Sequence, residues 1–280
     1  MNEHHEQSRT LATYELQWNR FRIVREEEDR ATFRNRTGLN ESELRGAEVL
    51  DAGCGMARYA RIALSGEPRR LVGLDLSWSL RAAREVLAEQ SNWGLVRGDL
   101  LRLPLREGTF DHIYSIGVLD HTPDPRGAFL GLARLLKPGG RIAIWVYERE
   151  RAVLEFLKDA HRAVSTRLPL PVLMEMSRLA APVGGWKRRM MGSRVWPVQR
   201  LGVALHLMTL GVSMHPDAEV RVCDTLDWYA PKYMSRHTRD EVRGWFAEAG
   251  LENIIDLSVG QRFYHAGQGN GVNFAGTRPR

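Results

Sequence analysis

Asp51, Gly53, Gly55 and Asp75 are the residues of this chain whose types and spacing best support chemistry. The glycines lie in the run Glu48-Val49-Leu50-Asp51-Ala52-Gly53-Cys54-Gly55-Met56-Ala57-Arg58-Tyr59. Asp75 sits in Leu71-Val72-Gly73-Leu74-Asp75-Leu76, about twenty residues on. Glycines after a short apolar run let a ligand approach the main chain, and an acid ending the next run can hold ribose hydroxyls. Together they describe a nucleotide-binding βαβ unit. Asp51 decides among nucleotides, because a carboxylate two residues before the first glycine repels a pyrophosphate and suits an ammonium group. Arg58 points the same way, standing where a dinucleotide fingerprint wants Gly or Ala for close helix packing. A nucleoside with an amino acid in place of phosphates, such as S-adenosylmethionine (SAM), meets these demands.

The elements that must position these residues follow from the pattern of apolar runs and breakers. Strands are expected at 48–53, 70–75, 93–98, 110–116 and 141–147, with helices at 57–65, 78–90 and 125–136 between them. Pro138-Gly139-Gly140 is expected to turn the chain into the fifth strand. Alternating units of this length imply a parallel sheet with right-handed crossovers. Upstream, residues 1–10 read as disordered and 11–35 as helix, with Tyr14, Trp18, Phe21 and Ile23 packing on a partner element. Gly38 with Asn40 and Ser42 starts a short helix before the first strand. After Tyr147 the rhythm breaks, and residues 149–217 read as an inserted helical lid rich in Arg, Met and Pro. It resumes at Thr238, which can cap a helix over 239–249 with Glu241 in the capping-box position and Gly250 as its stop. Strand 252–259, a Gly-rich turn region and a last strand from Gly271 to Gly276 close the chain as an antiparallel pair. The expected fold is thus α/β: a doubly wound, mostly parallel, seven-stranded Rossmann-like sheet from 1–148 and 218–280, with the lid inserted at 149–217.

Composition narrows the partners. Apolar residues are 43% and charged residues 26% of the 280, as in an ordinary globule, which sets aside a disordered chain. The formal net charge of +6 could favour an anionic partner, yet a modest excess spread over a large surface specifies none. Cys54 and Cys223 are the two cysteines, so there is no disulfide framework, no metal-ligand spacing, and compatibility with a reducing cytosol. The polar N-terminal run has no signal-peptide core. The most apolar stretch, Val198 to Met214, is interrupted by Gln199, Arg200 and His206, so no membrane span is expected. A cytoplasmic protein is the expectation.

The assembled motifs resemble those of the class I SAM-dependent methyltransferases. Four signatures occur in order: Asp51-Ala52-Gly53-Cys54-Gly55, the acid Asp75, Gly98-Asp99-Leu100, and Phe110-Asp111-His112-Ile113. Leu136-Lys137-Pro138-Gly139-Gly140 completes the set. A narrower likeness is to bacterial members with a Val-Leu-His-His-Thr-Pro-Asp-Pro run, here Val118-Leu119-Asp120-His121-Thr122-Pro123-Asp124-Pro125, with Asp120 in place of the first histidine. Ala57 replaces the third glycine of the loop and is small enough to keep the turn. The resemblance implies that Asp51 and the main chain of Gly53, Cys54 and Gly55 hold the methionine part of SAM. By the same likeness Asp75 bridges the ribose hydroxyls beside Leu76, and Asp99 reaches the adenine amino group with Leu100 at its flank. Ile116 and Gly117 then line the sulfonium.

Methyl transfer from a sulfonium asks a protein for positioning, exclusion of water and, for some acceptors, a base. His121 follows the fourth strand beside the expected methyl group and has a suitable intrinsic pKa for that base. Its alternative is to pack or cap the Thr-Pro turn. Tyr233 and His237 are secondary catalytic or binding candidates, on a segment that could form one wall of the acceptor site. Tyr14 and Trp18 either cover the cofactor or pack as ordinary helix residues. The lid mixes cationic and soft apolar side chains, in Leu168-Pro169-Leu170-Pro171, Trp186-Lys187-Arg188-Arg189-Met190-Met191 and Trp196-Pro197. That mixture suits a small hydrophobic or amphipathic acceptor and allows peripheral membrane contact, or else it is a satellite core with a basic rim. The expected function is methyl transfer to a small molecule. RNA methylation is one alternative, although no Asn/Asp-Pro-Pro-aromatic motif and no RNA-binding module is present. A SAM-binding partner protein without activity is another, suggested by Asp120.

Overall fold

The computed structural model describes residues 2–150, 152–208, 211–259 and 271–280, and every statement about elements below refers to these. In chain order they form α1 (Asn2–Arg20), α2 (Glu26–Thr37), β1 (Glu48–Ala52), α3 (Arg58–Leu64), β2 (Arg70–Asp75), α4 (Leu80–Val86), β3 (Trp93–Arg97), β4 (Phe110–Ile116), α5 (Pro125–Arg134) and β5 (Leu136–Tyr147). Then come α6 (Ala152–Ser165), α7 (Leu170–Met191), α8 (Trp196–Met208), α9 (Ala218–Tyr229), α10 (Arg239–Glu248), β6 (Glu252–Asp256) and β7 (Gly271–Thr277).

The strands make one seven-stranded sheet in the order β3-β2-β1-β4-β5-β7-β6. β3, β2, β1, β4 and β5 run parallel, whereas β7 is antiparallel to both β5 and β6. Strand order reverses between β1 and β4, which opens a crevice at the carboxyl ends there. The buried faces of β1 and β2 (Val49, Leu50, Leu71 and Leu74) carry no solvent exposure, as a parallel sheet covered on both faces requires. One face packs Phe129 of α5 against Trp245 and Phe246 of α10, and the other packs Phe33 of α2, Tyr59 of α3 and Leu87 against Tyr114. This is the doubly wound, Rossmann-like arrangement expected, including the antiparallel closing strands.

Several local expectations need correction. Residues 2–20 are one helix, so the tail expected to be disordered is ordered into α1, with Thr10, Thr13 and Gln17 buried. The single helix expected over 11–35 is two, broken at 21–25. Glu26, Glu27, Glu28 and Asp29 crowd the first turn of α2, where four acids favour a new N-terminus, and the Asp29 carboxylate accepts from the Arg25 N–H at 3.0 Å. Pro138-Gly139-Gly140 does not turn ahead of β5 but lies within it. The register shifts between Phe110 and His112, and the extra residues form a bulge in which Gly139 takes φ +78°. β6 stops at Asp256 rather than 259, and the Gly-rich turn region expected after it lies outside the described residues. By contrast α10 starts as read, with the Glu241 N–H donating to Thr238 Oγ1 at 3.2 Å.

Chain contacts divide the molecule into two compact units. One comprises Met1–Arg149 and the described residues from Tyr233 onward, and the other is Glu150–Lys232. Residues 218–232, expected with the sheet, therefore belong to the helical unit, where α9 starts at Asp217, whose carboxylate accepts from the N–H groups of Glu219 and Val220. Inside that unit α7 packs on α8 and α9. Gly184 meets the Ser213 carbonyl so closely that an added Cβ would lie 1.9 Å from it. The Lys187 side chain is fully buried, donates to the Val212 carbonyl at 3.0 Å, and has its pKa lowered to about 8 by burial.

Candidate functional site

β1 delivers Asp51 and then turns sharply at Gly53, whose φ of +84° and closeness to Val118 leave no room for a side chain. A Cβ there would lie 2.2 Å from Val118 Cγ1. The Gly53 and Cys54 N–H groups donate to the Leu74 carbonyl, and Gly55 donates to Asp75 Oδ2 at 2.9 Å. Ala57 holds the third glycine's place at φ +66°, a left-handed conformation at the mouth of α3. Asp75 Oδ1 accepts from the N–H of Ser77 at 2.8 Å and from its hydroxyl at 2.6 Å, so this one carboxylate fixes the glycine loop and the start of the next loop together.

These elements enclose a cavity of about 900 Å³, open mouth included, at the crevice where strand order reverses. Gly53, Cys54 and Gly55 line it after β1, and Asp75 and Leu76 after β2. Asp99 and Leu100 follow β3, with Ile116, Gly117 and His121 after β4. Each predicted cofactor residue except Asp51 thus faces the space. α1 adds Thr10, Leu11, Tyr14 and Trp18, so the aromatic pair read as either a cover or plain helix packing lines the cavity wall. No sequence pattern brought Thr10 or Leu11 into the site, since their place depends on how α1 packs. Asp99 Oδ1 accepts from the Leu101 N–H at 2.9 Å.

Asp51 lies behind the loop, buried beside Tyr114 of β4. Burial, and after it the charge of Asp75, raises its pKa to about 8. Burial also pushes the Cys54 thiol and the Tyr114 phenol well up. With the carboxylates of Asp75 and Asp99 on the wall against Arg58, the site disfavours phosphate and favours a ligand carrying positive charge and hydroxyl donors. The residues present fit SAM in size and in charge.

His121 stands at the far side of the cavity in the short turn Leu119–His121. Its Nδ1 lies 3.0 Å from the Tyr233 carbonyl oxygen, and its ring meets Tyr14 edge-on at 5.1 Å and Tyr147 at 6.0 Å. A carbonyl can only accept, so Nδ1 carries a proton and donates in this contact. Tyr233 enters this arrangement through its main chain, its N–H donating to Thr10 Oγ1 at 3.1 Å. His237 does not line the cavity. It is buried between Ser235 Oγ at 2.9 Å from Nε2 and Glu241 Oε1 at 2.8 Å from Nδ1, with Trp245 against its ring. These contacts tie His237 to the segment before α10 and to α10 itself. Asp120 is buried, and its Oδ1 accepts from the Tyr147 N–H at 3.1 Å while its carbonyl accepts from the Ser235 N–H.

Residues 50–144 match the family model described as a methyltransferase domain. A tRNA U34 carboxymethyltransferase of Pseudomonas aeruginosa is 37% identical over 106 residues, 36% of this chain and 33% of that protein. A sterol 24-C-methyltransferase of Saccharomyces cerevisiae is 31% identical over 105 residues, 36% of this chain and 27% of that one. The chain thus spans about a third of these relatives. Among solved structures, a SAM-dependent methyltransferase from Mesorhizobium loti aligns with a TM-score of 0.50 at 18% identity, covering 87% of this chain and 95% of that one. An O-methyltransferase family protein from Burkholderia thailandensis gives 0.51 at 16%, covering 89% and 55%. These two show the fold.

Proposed function

We propose that this protein, whose residues 50–144 match a methyltransferase-domain family model, transfers the methyl group of SAM to a small hydrophobic or amphipathic acceptor held beside His121. The observation that carries the reading is a cavity lined by the glycine loop, Asp75 and Asp99 and also by His121, whose Nδ1 lies 3.0 Å from the Tyr233 carbonyl oxygen. When bound, SAM supplies an electrophilic methyl group for in-line displacement. Asp75 and Asp99 take the ribose and adenine donors, and Leu76 and Leu100 pack the purine. Tyr14 and Trp18 exclude water. His121 Nε2 accepts the proton that an oxygen or nitrogen acceptor gives up as its new bond to carbon forms, and the Tyr233 carbonyl steadies the imidazolium through Nδ1–H.

A cavity lined by α1 residues as well as by the strand ends supports a small acceptor over RNA. The burial of Asp120, with its bond to Tyr147, gives its replacement of histidine a structural reason, which weakens the reading of a non-catalytic partner.

Calorimetric titration of the folded protein with SAM and with NADH tests the cofactor, with Asp75→Asn as control. Saturable SAM binding, weakened at least about tenfold in the variant, is expected; a folded protein that binds NADH or neither ligand overturns the reading. Once an acceptor is found, His121→Ala should lower kcat by about 10²-fold to 10⁴-fold and leave SAM affinity unchanged.

A further inference from the structure

The helical unit carries a surface that the methyl-transfer reading does not use. Along α7, Val172, Met176, Leu179 and Trp186 recur at helical spacing and are exposed, Leu179 at 79% and Trp186 at 66%. The helix's own core face is a different one, built from Leu173, Met174, Ser177, Ala181 and Gly184. α7 therefore has two apolar stripes and buries one. α8 is more extreme. Among its described residues only Gly202 is buried, against Met190 and Met191 of α7, while Trp196, Val198, Leu201 and Val203 are exposed.

The charge along these two helices is mostly of one sign: Glu175 pairs with Arg178 at the start of the stretch, and beyond it the helices carry cations. Between Glu175 and Asp217 there is no acidic residue, while Arg178, Lys187, Arg188, Arg189, Arg194 and Arg200 all occur there. Lys187 is buried, which leaves the arginines to set the surface potential. Arg200 stacks on Trp196, its guanidinium carbon 4.5 Å from the ring centroid.

We propose that α7 and α8 dock this face on a lipid bilayer containing anionic lipids. Tryptophan, soft aliphatic groups and an excess of arginine over acid are the combination that an anionic interface accepts, apolar groups entering the acyl boundary and cations meeting the headgroups. A second copy of the chain offers like charge to this face and repels it. Nucleic acid matches the arginines but leaves Leu179, Leu201 and Val203 without apolar partners. No helix among the described residues is long and apolar enough to cross a membrane, so the association is peripheral.

Flotation of the full chain with phosphatidylcholine vesicles, with and without phosphatidylglycerol, tests this. The protein should float with the anionic vesicles and stay behind with the neutral ones, and added salt should release it. Arg188→Glu/Arg189→Glu/Arg194→Glu changes only exposed side chains and should cut the partition coefficient by at least about fivefold for each arginine. Trp186→Ser/Trp196→Ser should weaken it without changing its salt dependence. Both variants should keep the wild-type circular dichroism spectrum. Equal flotation with both vesicle types, or unchanged flotation of the arginine variant, overturns the proposal. So does a concentration-dependent dimer, or a tRNA complex, from a protein that does not float.

Discussion

Raising the pH should weaken the ligand-free protein through Asp51. The fold holds this carboxyl in its neutral form, with a pKa pushed up to about 8 by burial and then by the charge of Asp75. In the unfolded chain it ionises near about 3.9. Between those values the folded protein keeps a proton that the unfolded chain has lost, so stability falls as pH rises through the window and levels off above about 8. With each unit worth about 1.4 kcal/mol, the fall is on the order of 5 kcal/mol across the whole window. Asp51→Asn keeps the shape and removes the titration. Denaturant unfolding from about pH 5 to about pH 8 should therefore show a steeper decline in wild type than in the variant. A cationic ligand opposes the effect by favouring the ionised form. SAM binding near neutral pH should then release close to one proton, which calorimetry in buffers of different ionisation heat can count. Equal slopes for wild type and variant, or SAM binding with no proton released, would refute the reasoning.

Three other changes bear on the site. Gly53→Ala should abolish SAM binding and cost about 2–4 kcal/mol of stability, combining left-handed strain with the clash against Val118; unchanged calorimetry and melting would contradict this. Asp120→Ala should destabilise by about 1–3 kcal/mol in denaturant titration, since it strips the Tyr147 N–H of its partner. Ala57→Gly relieves a positive φ at a position where glycine is unstrained, so thermal unfolding should show it neutral or stabilised by up to about 1 kcal/mol, and a clear loss would show that the buried methyl matters more.

The parallel part of the sheet was legible because its signals are local: apolar runs of strand length, glycines before helices, and an acid after the second run. Gly53, Gly55 and Asp75 came from the same signals, whereas Asp99 and Gly117 came from the resemblance to a known family. What escaped depends on contacts between distant residues. The break between α1 and α2 is written in four acids whose meaning is clear only once Asp29 reaches back to Arg25. The Pro-Gly-Gly run had turn chemistry, yet pairing with β4 and β7 drew it into a strand as a bulge. His237 has the residue type of a catalyst, while its contacts with Ser235, Glu241 and Trp245 depend on how α10 packs and could not be read from spacing. The orientation of His121 rests on a carbonyl 112 residues away along the chain. The end of the helical unit is hard to read from sequence, because α9 carries no strand or breaker signal, only a cap.

The placement of β7 between β5 and β6 has a consequence for how the chain emerges from the ribosome. Five parallel strands can assemble once residue 147 is out, but β6 pairs only with β7 among the described residues and must wait for it. Until residues 271–277 arrive, β5 shows a bare edge, with Ile142, Ala143, Ile144 and Val146 all destined for burial. Such an edge invites pairing with another chain, so translation of the helical unit is an interval of aggregation risk that ends when the last strand slots in.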